Sequence, residues 1–306
     1  MYTSPHNNRV AVGQIAFERR DLAFGYARTD ESNAVIDDLN LKIAPSDMAL
    51  SPHRKHVEVE QIAIECRNLT FAYDRTESNA VIADLNLTVT NGEILCVLGA
   101  SGCGKTSLLN LVAGFLTPQH GTVVVNGVPV SGPGPDRGVV FQEYSLFPWL
   151  TALGNVEFSL AMQGMSRKAR RQAAIAKLNL VGLEHAIDRY PFELSGGMKQ
   201  RVAIARTLAA NPQVLLMDEP FAALDALTRS SLQEELLTIY HKTKTTIIFV
   251  THNIAEAIKL GDRLIVLGPG GKILESIENG RPSRVDPAYG ESYRRLARAL
   301  NVEDAE

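Results

Sequence analysis

The sequence predicts an α/β fold with a mostly parallel core sheet built around a phosphate-binding loop, and three observations predict it. A largely apolar run, Glu93 to Leu98, feeds Gly99-Ala100-Ser101-Gly102-Cys103-Gly104-Lys105-Thr106, and Ser107–Ala113 then continues at helical periodicity. Stretches that read as strand and helix alternate through the second half of the chain. A second apolar run, Val214–Met217, delivers Asp218 and Glu219 at its end, where open α/β sheets hold their ligands.

The loop comes first because its chemistry is the most specific. Glycines keep Cβ atoms away, so successive N–H groups from Gly99 to Ser107 can turn onto phosphate oxygens. The helix that begins near Gly104 points its positive end at the same anion. Lys105 is placed to reach β- and γ-phosphates, and the Thr106 hydroxyl to ligate Mg²⁺. A glycine-rich strand-to-helix turn with no ligand is the alternative.

Bulk properties narrow the class. The 306 residues suggest one large or two modest domains, and 45% hydrophobic with 21% charged residues is ordinary globular composition. A net charge of −3 supplies no global basic field for nucleic acid. The apolar runs are far shorter than a membrane span, and the polar Met1–Val10 lacks a secretory core. Cys66, Cys96 and Cys103 have no metal-type spacing, which reads as reduced thiols in a cytoplasm. A membrane role would therefore come through a partner.

Taken in order, the chain opens with a duplication. Ile15–Tyr26 and Ser32–Leu41 repeat as Ile62–Tyr73 and Ser78–Leu87, with one extra residue near Asp30 and most aligned positions identical. Only the second copy runs on into the phosphate loop. Ala44–Lys55, with Pro45 and Pro52, reads as a linker, and His53 and His56 in this neighbourhood lack companions for a metal site. From Gln61 the pattern is an antiparallel strand pair (about 62–73 and 84–90), the Asn91-Gly92 turn and the strand Ile94–Leu98. Gly121–Asn126 ends in the hairpin signal Asn126-Gly127, and Val139–Phe141 is a short strand before Gln142. Residues 152–190 read as helical, with Arg167–Arg171 as a solvated basic face. Helices at Gly196–Ala209, Ala226–His241 and Ile254–Leu260 alternate with strands at Gln213–Met217, Thr245–Val250, Arg263–Leu267 and Lys272–Glu275. Residues 287–300 read as an amphipathic helix with Arg294, Arg295 and Arg298 on its polar side.

Two further stretches carry chemistry. Asp218 is suited to hold Mg²⁺ through water, and Glu219 to polarise an attacking water. Acidic residues at a strand end are common on surfaces, so this pair gains meaning from the loop at Gly99. Leu194-Ser195-Gly196-Gly197 opens a helix with a serine cap and two glycines, which repeats the physics of an anion cradle. A second cradle makes sense if it closes over nucleotide held by another subunit.

With these motifs in place, residues from about 61 to 278 resemble the nucleotide-binding subunit of an ATP-binding-cassette (ABC) transporter, whose signature is Leu-Ser-Gly-Gly. The resemblance implies an ABC-type P-loop NTPase cassette, with an N-terminal antiparallel β-subdomain and an inserted α-helical subdomain (about 143–200). It divides the chain into an extension (1–56), an ATP-binding domain (57–278) and a helical tail (279–306). It further implies that Tyr73 stacks on adenine, that Gln142 links nucleotide and metal to the membrane subunit, that Asp225 contacts the dimer partner, and that His252 is the switch histidine. Glu219, His252, Gln142 and Lys105 are then the catalytic set, with Thr106, Gln142 and Asp218 at the metal. Ser195, Gly196 and Gly197 close on the partner's ATP. Met198 and Asn253 depart from the common family pattern, where glutamine and aspartate stand.

The same resemblance implies an ATPase homodimer at the cytoplasmic face of the inner membrane, driving permease subunits supplied by an external solute-binding protein. The stretch Gly132–Gln142, followed by Ser145–Thr151, is similar to importers of taurine, aliphatic sulfonates, nitrate and bicarbonate, with Phe147 and Trp149 where the permease docks. A soluble ABC ATPase acting on ribosomes or DNA is the competing reading. It is opposed by the single cassette, the short helical insert and the net negative charge.

Overall fold

Strand alternation in this chain decides which layer each side chain enters. A computed structural model describes residues 61–74 and 79–302. The first sequence copy with its linker, and with them the expected 1–56 extension, lie outside the described residues. The described chain starts with β1 (Ile62–Phe71), β2 (Ile82–Thr90) and β3 (Ile94–Gly99), followed by helix α1 (Lys105–Ala113). The hairpin β4 (His120–Val125) and β5 (Val128–Pro129) comes next, turning at Asn126 and Gly127, both with positive φ. Strand β6 (Arg137–Val140) leads to helices α2 (Ala152–Met162), α3 (Arg167–Leu180) and α4 (Gly196–Ala209). The rest is β7 (Val214–Asp218), α5 (Ala226–Thr243), β8 (Thr246–Val250), α6 (Ile254–Leu260), β9 (Arg263–Leu267), β10 (Ile273–Glu278) and α7 (Pro287–Ala299).

Two sheets result. The smaller is antiparallel, in the order β2-β1-β4-β5; the larger runs β10-β9-β3-β8-β7-β6, parallel throughout except for β10 at its edge. All six residues of β3 are buried, as expected for a parallel strand covered on both faces. Its alternate residues feed two cores. Ile94, Cys96 and Leu98 join Leu215, Met217, Ile247 and Phe249 in the core that α2–α6 cover. Leu95 and Val97 join Val214, Leu216, Ile248 and Val250 beneath α1 and the antiparallel sheet. The carboxyl ends of β3, β7 and β8 therefore emerge side by side, with Asp218 in register with Val250.

Several elements differ from their sequence reading for identifiable reasons. The helical stretch 152–190 breaks into α2, α3 and a 3₁₀ turn at Glu184–Ala186, with Gly164 and Gly182 at positive φ marking the breaks. Strand β10 continues to Glu278 because β9 pairs with it as far as Arg263. Helix α5 runs on to Thr243 and stops where Lys244 takes a left-handed conformation without a glycine. Strand β6 spans Arg137–Val140, with Arg137 paired to Val214, and Phe141 falls outside it. On α7, Arg295 is tied to Glu275 at 2.8 Å, while Leu296 and Ala297 are buried. In the basic run on α3, Arg167, Lys168 and Arg171 are exposed, while Arg170 is half-buried with its Nε out of solvent. Among the described residues no helix is long and apolar enough to cross a membrane.

Candidate active site

The carboxyl ends of β3, β7 and β8 open onto a cleft of about 530 Å³. Around it stand Tyr73, Gly99, Ser101, Gly102, Gly104, Lys105, Thr106, Ser107, Glu219 and His252, together with Val81. Val81 is a residue the sequence does not mark, because a lone apolar residue at a strand's start carries no signal. Helix α1 begins at Gly104 with φ 100°, no side-chain cap and no acid in its first turn. Its first N–H groups are therefore open to an anion. A Cβ on Gly99 would lie 2.5 Å from both Cys103 Sγ and the Leu267 carbonyl oxygen, so this position admits only glycine. Cys103 is buried and packs inside the loop.

Lys105 is buried. Its ammonium donates to the carbonyl oxygens of Gly99 (2.7 Å) and Ala100 (2.8 Å), so the loop wraps its own cation. Tyr73 is 65% exposed, with its ring open to solvent. Its ring meets Phe71 edge-on at 4.9 Å, and its hydroxyl lies 3.1 Å from Ser107 Oγ.

At the end of β7, burial pushes the Asp218 carboxyl above the usual carboxylate range. The hydrogen bond with Thr106 opposes that rise, the neighbouring Glu219 adds to it, and Lys105 lowers it. Glu219 has φ 43°, an uncommon conformation for a non-glycine residue, and its N–H donates to the Val250 carbonyl at 3.0 Å. Glu219 Oε2 lies 2.9 Å from His252 Nδ1, and His252 is exposed rather than a buried structural histidine. Thr251 anchors the histidine segment: its N–H donates to Val97 O at 3.2 Å and its hydroxyl to Glu256. Asn253, where the family pattern has aspartate, caps α6 by accepting the Glu256 N–H at 3.1 Å.

Other expected site residues lie apart from this cleft. Gln142 is exposed, two residues beyond the Val140–Met217 register pair, and does not line it. Ser195 caps α4 by accepting the Met198 N–H at 3.3 Å. Gly197 packs so tightly on α5 that a Cβ would lie 2.4 Å from Thr228 Cγ2. Asp225 caps α5, accepting the N–H groups of Leu227 (3.1 Å) and Thr228 (3.0 Å). The hydrogen bond from the Thr228 side chain is the largest reason its carboxyl is held below the usual range. The Ser195 and Asp225 segments are thus joined through Gly197 and Thr228, and neither lines the cleft of its own chain.

Beyond Gln142, Trp149 is 69% exposed and sits 5.5 Å from Phe147, which in turn contacts Phe158 at 4.6 Å. Buried Asn155 pins this loop, accepting from Phe147 N–H at 2.8 Å and donating to the carbonyls of Phe147, Leu150 and Thr151. Nothing in the sequence marks Asn155, because its role depends on a loop folding back over the first turn of α2.

The chain is similar to known ATP-binding cassettes in sequence and in fold. The description of the ABC transporter family matches residues 82–222. An uncharacterized ABC transporter ATP-binding protein of Methanocaldococcus jannaschii is 53% identical over 196 residues, 64% of this chain and 73% of that one. The taurine import ATP-binding protein TauB of Yersinia pestis is 50% identical over 197 residues, 64% of this chain and 77% of that one. Among solved structures, the ATP-binding cassette MJ0796, a dimer in a post-hydrolysis state bound to ADP and Pi, is similar with a TM-score of 0.63. It is 33% identical, and the match covers 70% of this chain and 98% of that one. The chain belongs to the ABC transporter ATP-binding family, whose members hydrolyse ATP to drive transport.

Proposed function

We propose that this subunit powers import of taurine or a related small anion, an alkanesulfonate or nitrate, through a partner permease. The observation that carries the ATPase half is the Glu219–His252 pair at the mouth of the phosphate-loop cleft. The solute class is supported by the likeness to a taurine import ATP-binding protein.

The open N–H groups at the start of α1 would hold the β- and γ-phosphates of ATP. Lys105 would exchange the Gly99 and Ala100 carbonyls for phosphate oxygens, and Tyr73 would offer its exposed ring to adenine. Mg²⁺ suits the donors present, since the Thr106 hydroxyl stands near enough to Asp218 to lower its carboxyl pKa. When bound, Mg²⁺ would supply charge neutralisation to the phosphates, with Thr106 and Asp218, and Gln142 as a further ligand, the residues that would hold it.

Glu219 would take the proton of the attacking water. With Nδ1–H donating to Glu219, a neutral His252 presents only a lone pair at Nε2. In this arrangement the histidine orients the carboxylate. Contact with a γ-phosphate would need either a second proton on the ring or its release from Glu219. The Ser195–Gly197 and Asp225 surface, absent from its own cleft, would close on the ATP of a second copy. Phe147 and Trp149 would receive the permease at the cytoplasmic face of the membrane, with a solute-binding protein acting through that permease. The test is reconstitution with the co-purified permease in proteoliposomes: taurine or an alkanesulfonate delivered by its binding protein should stimulate ATP hydrolysis. Basal hydrolysis indifferent to sulfonates and nitrate alike would overturn the solute assignment.

A further inference from the structure

A second cavity, of about 610 Å³, lies between α5, α6 and the segment leading into α7. We propose that it binds a small oxyanion (a sulfonate, phosphate or carboxylate) and that this site is coupled to the Glu219–His252 pair. Four cationic side chains line it, Arg229, Lys259, Arg281 and Arg284, against the single carboxylate of Glu256. Glu256 is not free to neutralise them. Its oxygens accept from Gln233 (3.0 Å) and from the Thr251 hydroxyl. Lys259 and Arg281 have carboxylate partners outside the lining, Glu234 at 3.4 Å and Asp262 at 2.6 Å. Among the described residues neither Arg229 nor Arg284 has a carboxylate in ion-pair range. Arg229 donates to the Leu224 carbonyl at 2.8 Å, while its Nε is buried without a hydrogen-bond partner.

Cations without a carboxylate partner, here Arg229 and the exposed Arg284, focus the local field on an incoming anion. Guanidinium groups suit the task because they are weakly hydrated and present paired donors to planar or tetrahedral oxyanions. Tyr289 adds an aromatic wall that accommodates the organic remainder of such an anion.

The coupling is physical and short. A small cavity of about 30 Å³ is lined by Arg229, Asn253 and Glu256, which also line the second cavity, and by Glu219 and His252, which also line the phosphate-loop cleft. Thr251, whose hydroxyl is held by Glu256, is the residue before His252. Arg229 also holds the carbonyl of Leu224, the residue before Asp225. An anion that reorients Arg229 therefore bears on both the Glu219–His252 pair and the Asp225 segment.

The test titrates the full chain, its phosphate-loop cleft saturated with ADP, against inorganic phosphate, methanesulfonate and succinate by calorimetry. At least one should bind saturably, and Arg284→Gln and Arg229→Gln should each weaken it about tenfold or more. Arg294→Gln, which removes an exposed arginine outside the cavity, should not, and this separates a built site from a general charge effect. The best-binding probe identifies which oxyanion chemistry the site takes. Added to the wild type with MgATP, that probe should change kcat about twofold or more, and Arg284→Gln should shift the response to higher concentration. No saturable binding up to about 10 mM, or equal losses in the Arg284 and Arg294 variants, would overturn the site. Saturable binding without a change in kcat would overturn the coupling.

Discussion

His252 Nδ1 sits 2.9 Å from Glu219 Oε2, joining the residues that follow two neighbouring parallel strands, β7 and β8. This contact fixes the carboxylate at the mouth of the phosphate-loop cleft and determines which ring nitrogen is left for other work. His252→Ala should therefore lower kcat by about 10²-fold or more while ATP affinity changes little. A single-turnover assay beside equilibrium nucleotide binding separates the two. Loss of affinity with unchanged turnover would remove the histidine from the positioning role.

Lys105→Ala should act on affinity itself. Charge-assisted hydrogen bonds of this kind contribute about 1.5–3 kcal/mol, so nucleotide binding should weaken by roughly 10–100-fold. Ser195 lies away from its own chain's cleft, so a Ser195→Arg variant should bind ATP and fail to hydrolyse it. Mixing the Ser195 and Lys105 variants rebuilds one intact composite site per mixed dimer and should restore part of the activity. Hydrolysis no greater than in either parent, with mixed dimers demonstrated, would contradict a shared site.

Tyr73→Ala should weaken ATP binding by about 5–150-fold, the range set by losing roughly 1–3 kcal/mol of base stacking. Tyr73→Phe keeps the ring and loses only the contact with Ser107, so it should be nearly silent. Tyr26→Ala, at the matching position of the first sequence copy, should change nothing. Fluorescent nucleotide titration of the three variants checks this, and a silent Tyr73→Ala with a damaging Tyr26→Ala would reassign the adenine contact.

Burial pushes the Cys66 thiol from an ordinary 9.0 up to about 12. The unfolded chain therefore releases this proton first as pH rises. The stabilising effect of keeping the thiol neutral is intact below about 9 and drains away between there and about 12. Urea unfolding followed from neutral to alkaline pH should show declining stability, with a shallower decline in Cys66→Ala. Equal slopes in the two proteins would contradict the assignment to Cys66.

The fold is legible in the sequence where residue type alone dictates backbone. Glycines and Lys105-Thr106 after an apolar run define the loop; Ser195 ahead of two glycines defines the start of α4, whose limits match the sequence reading. Asp218 and Glu219 are legible as a strand end. The pairing of Glu219 with His252 is not, because it depends on the parallel register of β7 and β8, strands separated by the whole of α5. The clamp made by Asn155, the breaks at Gly164 and Gly182, and the extension of β10 along β9 likewise arise from tertiary contacts. Gln142 shows the opposite limit: its motif is plain, yet its side chain stands outside the cleft that the motif implies.

Glu219→Gln, run in size-exclusion chromatography with MgATP, probes the ATPase mechanism at its centre. The substitution keeps the size of the side chain and removes only the charge that would accept the water proton. ATP affinity should stay close to wild type and hydrolysis should fall by about 10²-fold or more. The variant should also shift to a dimer that ADP does not support. Hydrolysis at the wild-type rate would contradict the role of Glu219 as the base.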